Sequence, residues 1–94
     1  MSLEMEIRLA LVDAKAPLRA LADVTFRCSG DEITIRRCAV FQREGQPAWA
    51  NFPGLPVERD GKRRFMPLVE VSHDFKQRVM EAVLAEYKAK IDAR

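Results

Sequence analysis

The stretch from Ser72 to about Ile91 constrains this chain most, because its apolar residues recur at helical spacing. At about 100° per residue, Phe75, Val79, Met80, Ala82, Val83, Leu84, Tyr87 and Ile91 fall on one side. Asp74, Gln77, Arg78, Glu81, Lys88 and Asp92 fall on the other. Ser72 suits the N-cap, since its hydroxyl can accept a backbone N–H that the first turn leaves unpaired. Asp74 adds negative charge where the helix dipole favours it. Asp74–Arg78 and Glu86–Lys90 are expected i,i+4 pairs. A rod of about 30 Å results, the width of a small domain. Its apolar arc spans about half the circumference, wider than one flat sheet face needs. Either the sheet curls around it or a second subunit covers the Met80/Leu84 edge.

What precedes this rod reads as β-structure. Ile7, Leu9 and Leu11 alternate within an expected strand from Glu6 to Val12, and Asp13 to Pro17 form a turn. Leu18 to Cys28 is a longer strand with Leu18, Ala20, Ala22, Val24, Phe26 and Cys28 on one face. After the tight-turn signature Ser29-Gly30-Asp31, a third strand runs from Glu32 to Gln42. It offers Ile33, Ile35, Ala39 and Phe41 to the same core, with Arg37 breaking the alternation. A turn at Glu44-Gly45-Gln46-Pro47 leads to a short strand over Ala48–Phe52. Two prolines and a glycine make Pro53–Asp60 an expected loop. Asp60-Gly61 signals a hairpin between Val57-Glu58-Arg59 and Lys62-Arg63-Arg64, and Arg64 to Val71 reads as a last strand held to a sheet edge by Pro67. The expected class is α+β: a twisted antiparallel sheet of about five strands packed against one C-terminal helix.

The 94 residues suffice for one small domain, expected over residues 5–94. Residues 1–4 are expected to lie outside it, with Met5 a natural start. No apolar run approaches the roughly 18 residues of a membrane span, and no signal peptide opens the chain. A hairpin turning at Gly30-Asp31 sets Cys28 near Ile33 and Cys38 near Asp23, too far apart to bridge. Free, partly buried thiols and a reducing cytoplasm are therefore expected.

Little here suggests catalysis. The single histidine, His73, opens the helix, and the serines sit in a tail, a turn and a cap. There is no metal-ligand spacing and no glycine-rich phosphate cradle, so neither an enzyme, a cofactor nor a small-molecule substrate is expected. The net charge of +2 is too small to argue for nucleic acid by itself. Local clustering is more informative. Arg59, Lys62, Arg63 and Arg64 gather at the expected hairpin tip, where Gly61 lets the backbone approach phosphates. The plain alternative is a solvated hairpin whose charges guard a sheet edge. Arg36-Arg37 and Arg43 form a second basic set, in which strand alternation lets only one of Arg36 and Arg37 join a patch. Trp49 and Phe52 would stack on bases if exposed, although aromatic residues in a short strand more often fill a core.

In this order and spacing the pieces resemble the SpoVG family (stage V sporulation protein G, or septation protein SpoVG) from about Ile7 to Tyr87. The resemblance lies in Ile7-Arg8-Leu9, in Leu18-Arg19-Ala20 followed by Ala22-x-Val24-Thr25-Phe26, and in Trp49-Ala50-Asn51-Phe52-Pro53. It continues in Asp60-Gly61-x-x-Arg64, twelve residues on in Ser72, and then in Ala82-Val83-Leu84-Ala85-Glu86-Tyr87. It implies a homodimeric, cytoplasmic bacterial regulator that binds DNA, and in some members RNA, with a name tied to septation and sporulation. The chain departs from the family where cations usually follow the proline matching Pro53, since Gly54-Leu55-Pro56-Val57-Glu58 stands there. Leu68-Val69 replaces a His-Pro, and the third strand's Cys38-Ala39-Val40-Phe41 lacks an arginine. Arg59, Lys62, Arg63 and Arg64, with Arg36 extending the track, are the expected nucleic-acid contacts. The rival expectation is a protein-interaction or structural dimer of the same fold that has lost nucleic-acid binding.

Overall fold

The computed structural model describes residues 3–13 and 17–93. In chain order it contains β1 (Glu4–Leu11), β2 (Leu18–Cys28), β3 (Asp31–Phe41), β4 (Trp49–Asn51), β5 (Gly54–Arg59), β6 (Lys62–Pro67) and α1 (His73–Asp92). Strands β1 to β4 form one antiparallel sheet in sequential order, while β5 and β6 form a separate two-stranded ribbon. The α+β class is as the sequence implies, but the β-structure divides into four strands plus two. Pairing also reaches back to Glu4, which faces Arg27. Much of the expected turn between β1 and β2 lies outside the described residues.

Helix α1 lies across the sheet and packs on β1, β3 and β4. Val79, Met80, Val83 and Tyr87 are buried against Leu9, Ala20, Ala22, Val24, Phe26, Cys38, Val40, Ala50 and Phe52. Met80 is therefore covered by its own chain, with Leu84 half-buried beside it. Phe75 extends the contact to Phe26 at 5.3 Å between ring centroids. The helix ends depart from expectation. Ser72 occupies the N-cap position but makes no side-chain cap hydrogen bond. Neither expected i,i+4 pair forms among the described residues. Arg78 lies over the Phe75 ring instead, and Lys90 Nζ donates to the Leu9 carbonyl at 2.6 Å.

The hairpin β2–β3 turns at Ser29-Gly30, both in the left-handed region at φ 51° and 84°. Such a turn carries its own twist and so suits two right-twisted strands. Its register sets Cys28 opposite Asp31 and Cys38 opposite Ala22, correcting the expected partners Ile33 and Asp23. Both thiols are free, Cys38 buried and Cys28 half-buried.

The main correction lies in the middle of β3. Val24 pairs with Ile35 and Ala22 with Cys38, so Arg36 and Arg37 together oppose Asp23. One extra residue forms a β-bulge, and it reverses which side of the strand faces the helix. Cys38 and Val40 enter the core, whereas strict alternation would place Ala39 and Phe41 there. Ile33, near the hairpin end, is 62% exposed. Arg37 takes a left-handed φ of 63°, and its N–H donates to Asp23 Oδ1 at 3.2 Å. The Arg36 guanidinium donates to Oδ2 of the same carboxylate at 3.3 Å. A single aspartate thus accepts from both bulged residues.

The expected hairpin arm Val57–Arg59 extends back through Gly54–Pro56, expected as loop, to make strand β5, and its partner β6 ends at Pro67 where the strand was expected to reach Val71. Counting back from the two-residue turn Asp60-Gly61, the pairs Arg59–Lys62, Val57–Arg64 and Leu55–Met66 exchange ladder bonds. Pro56 and Pro67 fall in the intervening pairs, where a backbone N–H would point away from the partner strand. Each proline therefore loses nothing from the ladder.

Two consequences are testable. Truncating Val83→Ala removes buried methyl groups from the helix–sheet contact and should lower unfolding free energy by about 1–3 kcal/mol in a denaturant melt. At the bulge, Arg37→Val should destabilise by about 1 kcal/mol or more, because a β-branched residue resists left-handed backbone. Arg37→Gly should melt no lower than the parent.

Candidate functional site

The sheet face turned away from the helix divides into two chemically different halves. Toward the β2–β3 turn it is a lattice of paired charges. Arg27 sits between Glu32, at 2.9 Å, and Glu6, at 3.4 Å, while Arg8 pairs with Glu6 at 3.3 Å. Those carboxylates hold the Arg27 guanidinium's proton even more firmly than usual, the Glu32 hydrogen bond contributing most. Between these rows the buried Thr25 hydroxyl is satisfied by the Thr34 hydroxyl at 2.8 Å.

Beyond the bulge the face changes character. Phase reversal sends Ala39 and Phe41 outward, and Trp49 pairs with Phe41 across the β3–β4 edge. The two rings stack at 5.5 Å with 21° between their planes. The Arg43 guanidinium lies 5.9 Å from the centre of the Trp49 ring. Phe65 approaches from the root of the ribbon, and together these side chains line a cleft of about 520 Å³. Among the described residues no carboxylate lines it, and the charged groups that do are Arg37 and Arg43. Trp49 is 38% exposed, whereas Phe52 is buried in the core.

Gly54 is required at the root of the ribbon. A Cβ there would lie 2.2 Å from Cζ of Phe65, so only glycine lets that ring fold back across the strand. The Leu68 N–H closes the root with a hydrogen bond to the Pro53 carbonyl at 3.0 Å.

The ribbon carries the four hairpin cations, and all four are exposed. Its register sorts them by face. Arg59, Lys62 and Arg64 share one face with Leu55, Val57 and Met66, and that face has no acid. Arg63 lies on the other face, directly across from Glu58. The sequence cluster is therefore three cations on one side and one cation against a carboxylate on the other. Among the described residues none of the four joins an ion pair.

Arg36 is not brought into that group. It stands on β3 in the larger sheet, and its guanidinium is engaged by Asp23. The expectation that Arg36 and Arg37 point to opposite faces is also corrected, because the bulge turns both away from the core and leaves both exposed. Arg37, with its side chain at the cleft, is the more available cation. The sequence signal for this was the broken alternation at Arg37.

Among the described residues no group of three or more His, Cys, Asp or Glu could hold a metal ion. No helix is long and apolar enough to cross a membrane. No family model, curated protein or solved structure matches the chain.

Cys38 lies beneath the bulge and is fully buried. Burial first, and the nearby Asp23 charge second, push its thiol from 9.0 up to about 11. The folded state thus keeps this proton where the unfolded chain would release it. Stability from this group is complete below about pH 9 and is lost as pH rises toward 11. Denaturant melts across that window should show a steeper decline for the parent than for Cys38→Ala. A thiol reagent at neutral pH should modify Cys28 promptly and Cys38 only after unfolding.

Proposed function

We propose that this chain is a nucleic-acid-binding regulatory protein of SpoVG type, acting in the cytoplasm as a homodimer whose basic ribbons contact the phosphate backbone. One observation carries the reading. Arg59, Lys62 and Arg64 project from one acid-free face of a ribbon that packs extensively on no other element. Three unpaired cations spaced along such a ribbon suit a row of phosphates better than they suit fold stability, since exposed charges add little to stability. Arg63 is the weaker contact, because Glu58 across the ribbon offsets its charge. Arg36 is likewise weaker, being committed to Asp23.

The apolar residues on the ribbon support the dimer. Leu55 and Met66 lie on the same face as the three cations but nearer the root, and both are exposed. Exposed apolar side chains beside a basic tip fit a contact between protomers, with the tips free to reach a polyanion. The same apolar row also favours a second reading, a protein-interaction dimer in which the ribbon binds a protein and the cations keep it soluble.

A mobility-shift titration separates the two. With up to three phosphates neutralised per protomer, log affinity should fall against log salt with a slope between about −3 and −5. Combined Arg59→Glu, Lys62→Glu and Arg64→Glu should reduce binding at low salt more than tenfold, and Arg63→Glu alone by much less. Absence of binding at low salt, or indifference to the triple reversal, would leave the protein-interaction reading standing.

A further inference from the structure

The sheet's outer face has a feature that phosphate contact by the ribbon does not use. The cleft in the half of that face beyond the bulge is mainly apolar and aromatic, and among the described residues it is lined by two arginines and no acid. An ordinary solvent-facing sheet surface of this size would carry interspersed charges, as the other half does with Glu6, Arg8, Arg27 and Glu32. Trp49 adds a large ring at the edge strand, already stacked on Phe41 and partly open to solvent. Phe65, 58% exposed, supplies a second aromatic surface at the same cleft.

We propose that this cleft binds single-stranded nucleic acid, one unpaired base stacking against Trp49 while Arg37 and Arg43 hold the adjoining phosphates. The proposal rests on the phosphate-binding reading of the ribbon and names the class of polymer that it takes. The chemistry of the lining selects the occupant. A flat heterocycle gains from aromatic surfaces, and its linked phosphates gain from guanidinium groups that no carboxylate competes for. The cleft volume of about 520 Å³ lies in the range that encloses small flat ligands. A base within a duplex is already stacked on its neighbours and cannot enter such a cleft without being extruded. Single strands therefore enter, and duplexes are left to the ribbon alone. Gly54 belongs to the same design, since any side chain there would displace Phe65 from the cleft wall.

Trp49 is the only tryptophan in the chain, so its emission reports on this cleft directly. An oligothymidylate of about ten nucleotides and a duplex of equal length should be titrated into the full chain at low salt. The single strand is expected to quench Trp49, and the duplex to leave the emission nearly unchanged. Trp49→Ala should weaken single-strand binding by about 5- to 150-fold, with Trp49→Phe retaining most of the affinity. Arg37→Gly, which removes the guanidinium while suiting the left-handed backbone, should weaken it without lowering the melting temperature.

The remaining outcomes separate the two ideas. If both polymers bind in a ribbon-dependent way and neither quenches Trp49, the cleft proposal is overturned and the ribbon reading survives. Quenching by the single strand that persists undiminished after the triple ribbon reversal upholds the cleft and removes the ribbon. If Trp49 emission shifts with protein concentration alone and ignores the oligonucleotide, the cleft receives a second copy of this chain and the proposal fails.

Discussion

The arrangement of both sheet faces turns on the bulge in β3, which one carboxylate bridges. Asp23 accepts hydrogen bonds from the Arg37 N–H and the Arg36 guanidinium, and so stabilises a bulge that puts two residues opposite one. A non-glycine residue at φ 63° is a conformation costing about 1–3 kcal/mol, retained only where the surroundings enforce it. Here the enforcement comes from both directions. On one side of the bulge Ile35 must meet the core opposite Val24, and on the other Cys38 and Val40 must meet the helix. Without the extra residue these requirements conflict, because a regular strand cannot turn Ile35 and Cys38 to the same face.

The same device makes the outer face what it is. Reversing the phase of β3 delivers Cys38 and Val40 to the core and therefore turns Ala39 and Phe41 outward. Phe41 outward gives Trp49 a ring to stack on, and the Arg43 guanidinium lies over the Trp49 ring. The helix–sheet core and the aromatic cleft are consequently not independent. Each is built from alternate residues of one strand, and the bulge decides which set goes where.

Much of this fold was legible in the sequence, and the exceptions have physical causes. Helix α1 and β2 from Ala20 to Phe26 were legible because their apolar periods run without a break, and the hairpin turns because Gly30 and Gly61 permit left-handed backbone. Leu18, expected on the face of Ala20, instead leaves it at a register shift beside Arg19 and pairs with the outward Phe41. The phase of β3 beyond Arg37 was not, since a bulge leaves only one irregular residue in the alternation. The start of β5 was hidden by Pro56, which would usually interrupt a ladder but here, like Pro67 on β6, occupies a pair that forms no ladder bonds. The basic cluster was visible as composition. Its division into three cations and one needed the register, because hairpin faces are fixed only when the turn length is known. Trp49 and Phe52 show the limit most plainly: three residues apart on a short stretch, both border the cleft, but Trp49 stays partly open to solvent while Phe52 is buried in the core.

The placement of charge argues that the two anion-facing regions differ in kind. At the ribbon the cations are exposed and held on flexible side chains, an arrangement that concentrates a polyanion but distinguishes poorly among polyanions. At the cleft the cations border a fixed aromatic surface, whose shape a ligand must match. Paired carboxylates are confined to the far half of the outer face, where Glu6 and Glu32 are neutralised by Arg27. On the ribbon, Glu58 shares a face with Arg63 and Phe65, so only the opposite face, with Arg59, Lys62 and Arg64, offers a polymer positive charge without an acid. On the proposed reading the ribbon supplies affinity and the cleft discrimination, and the bulge at Arg36-Arg37 is what places Arg37 at the cleft.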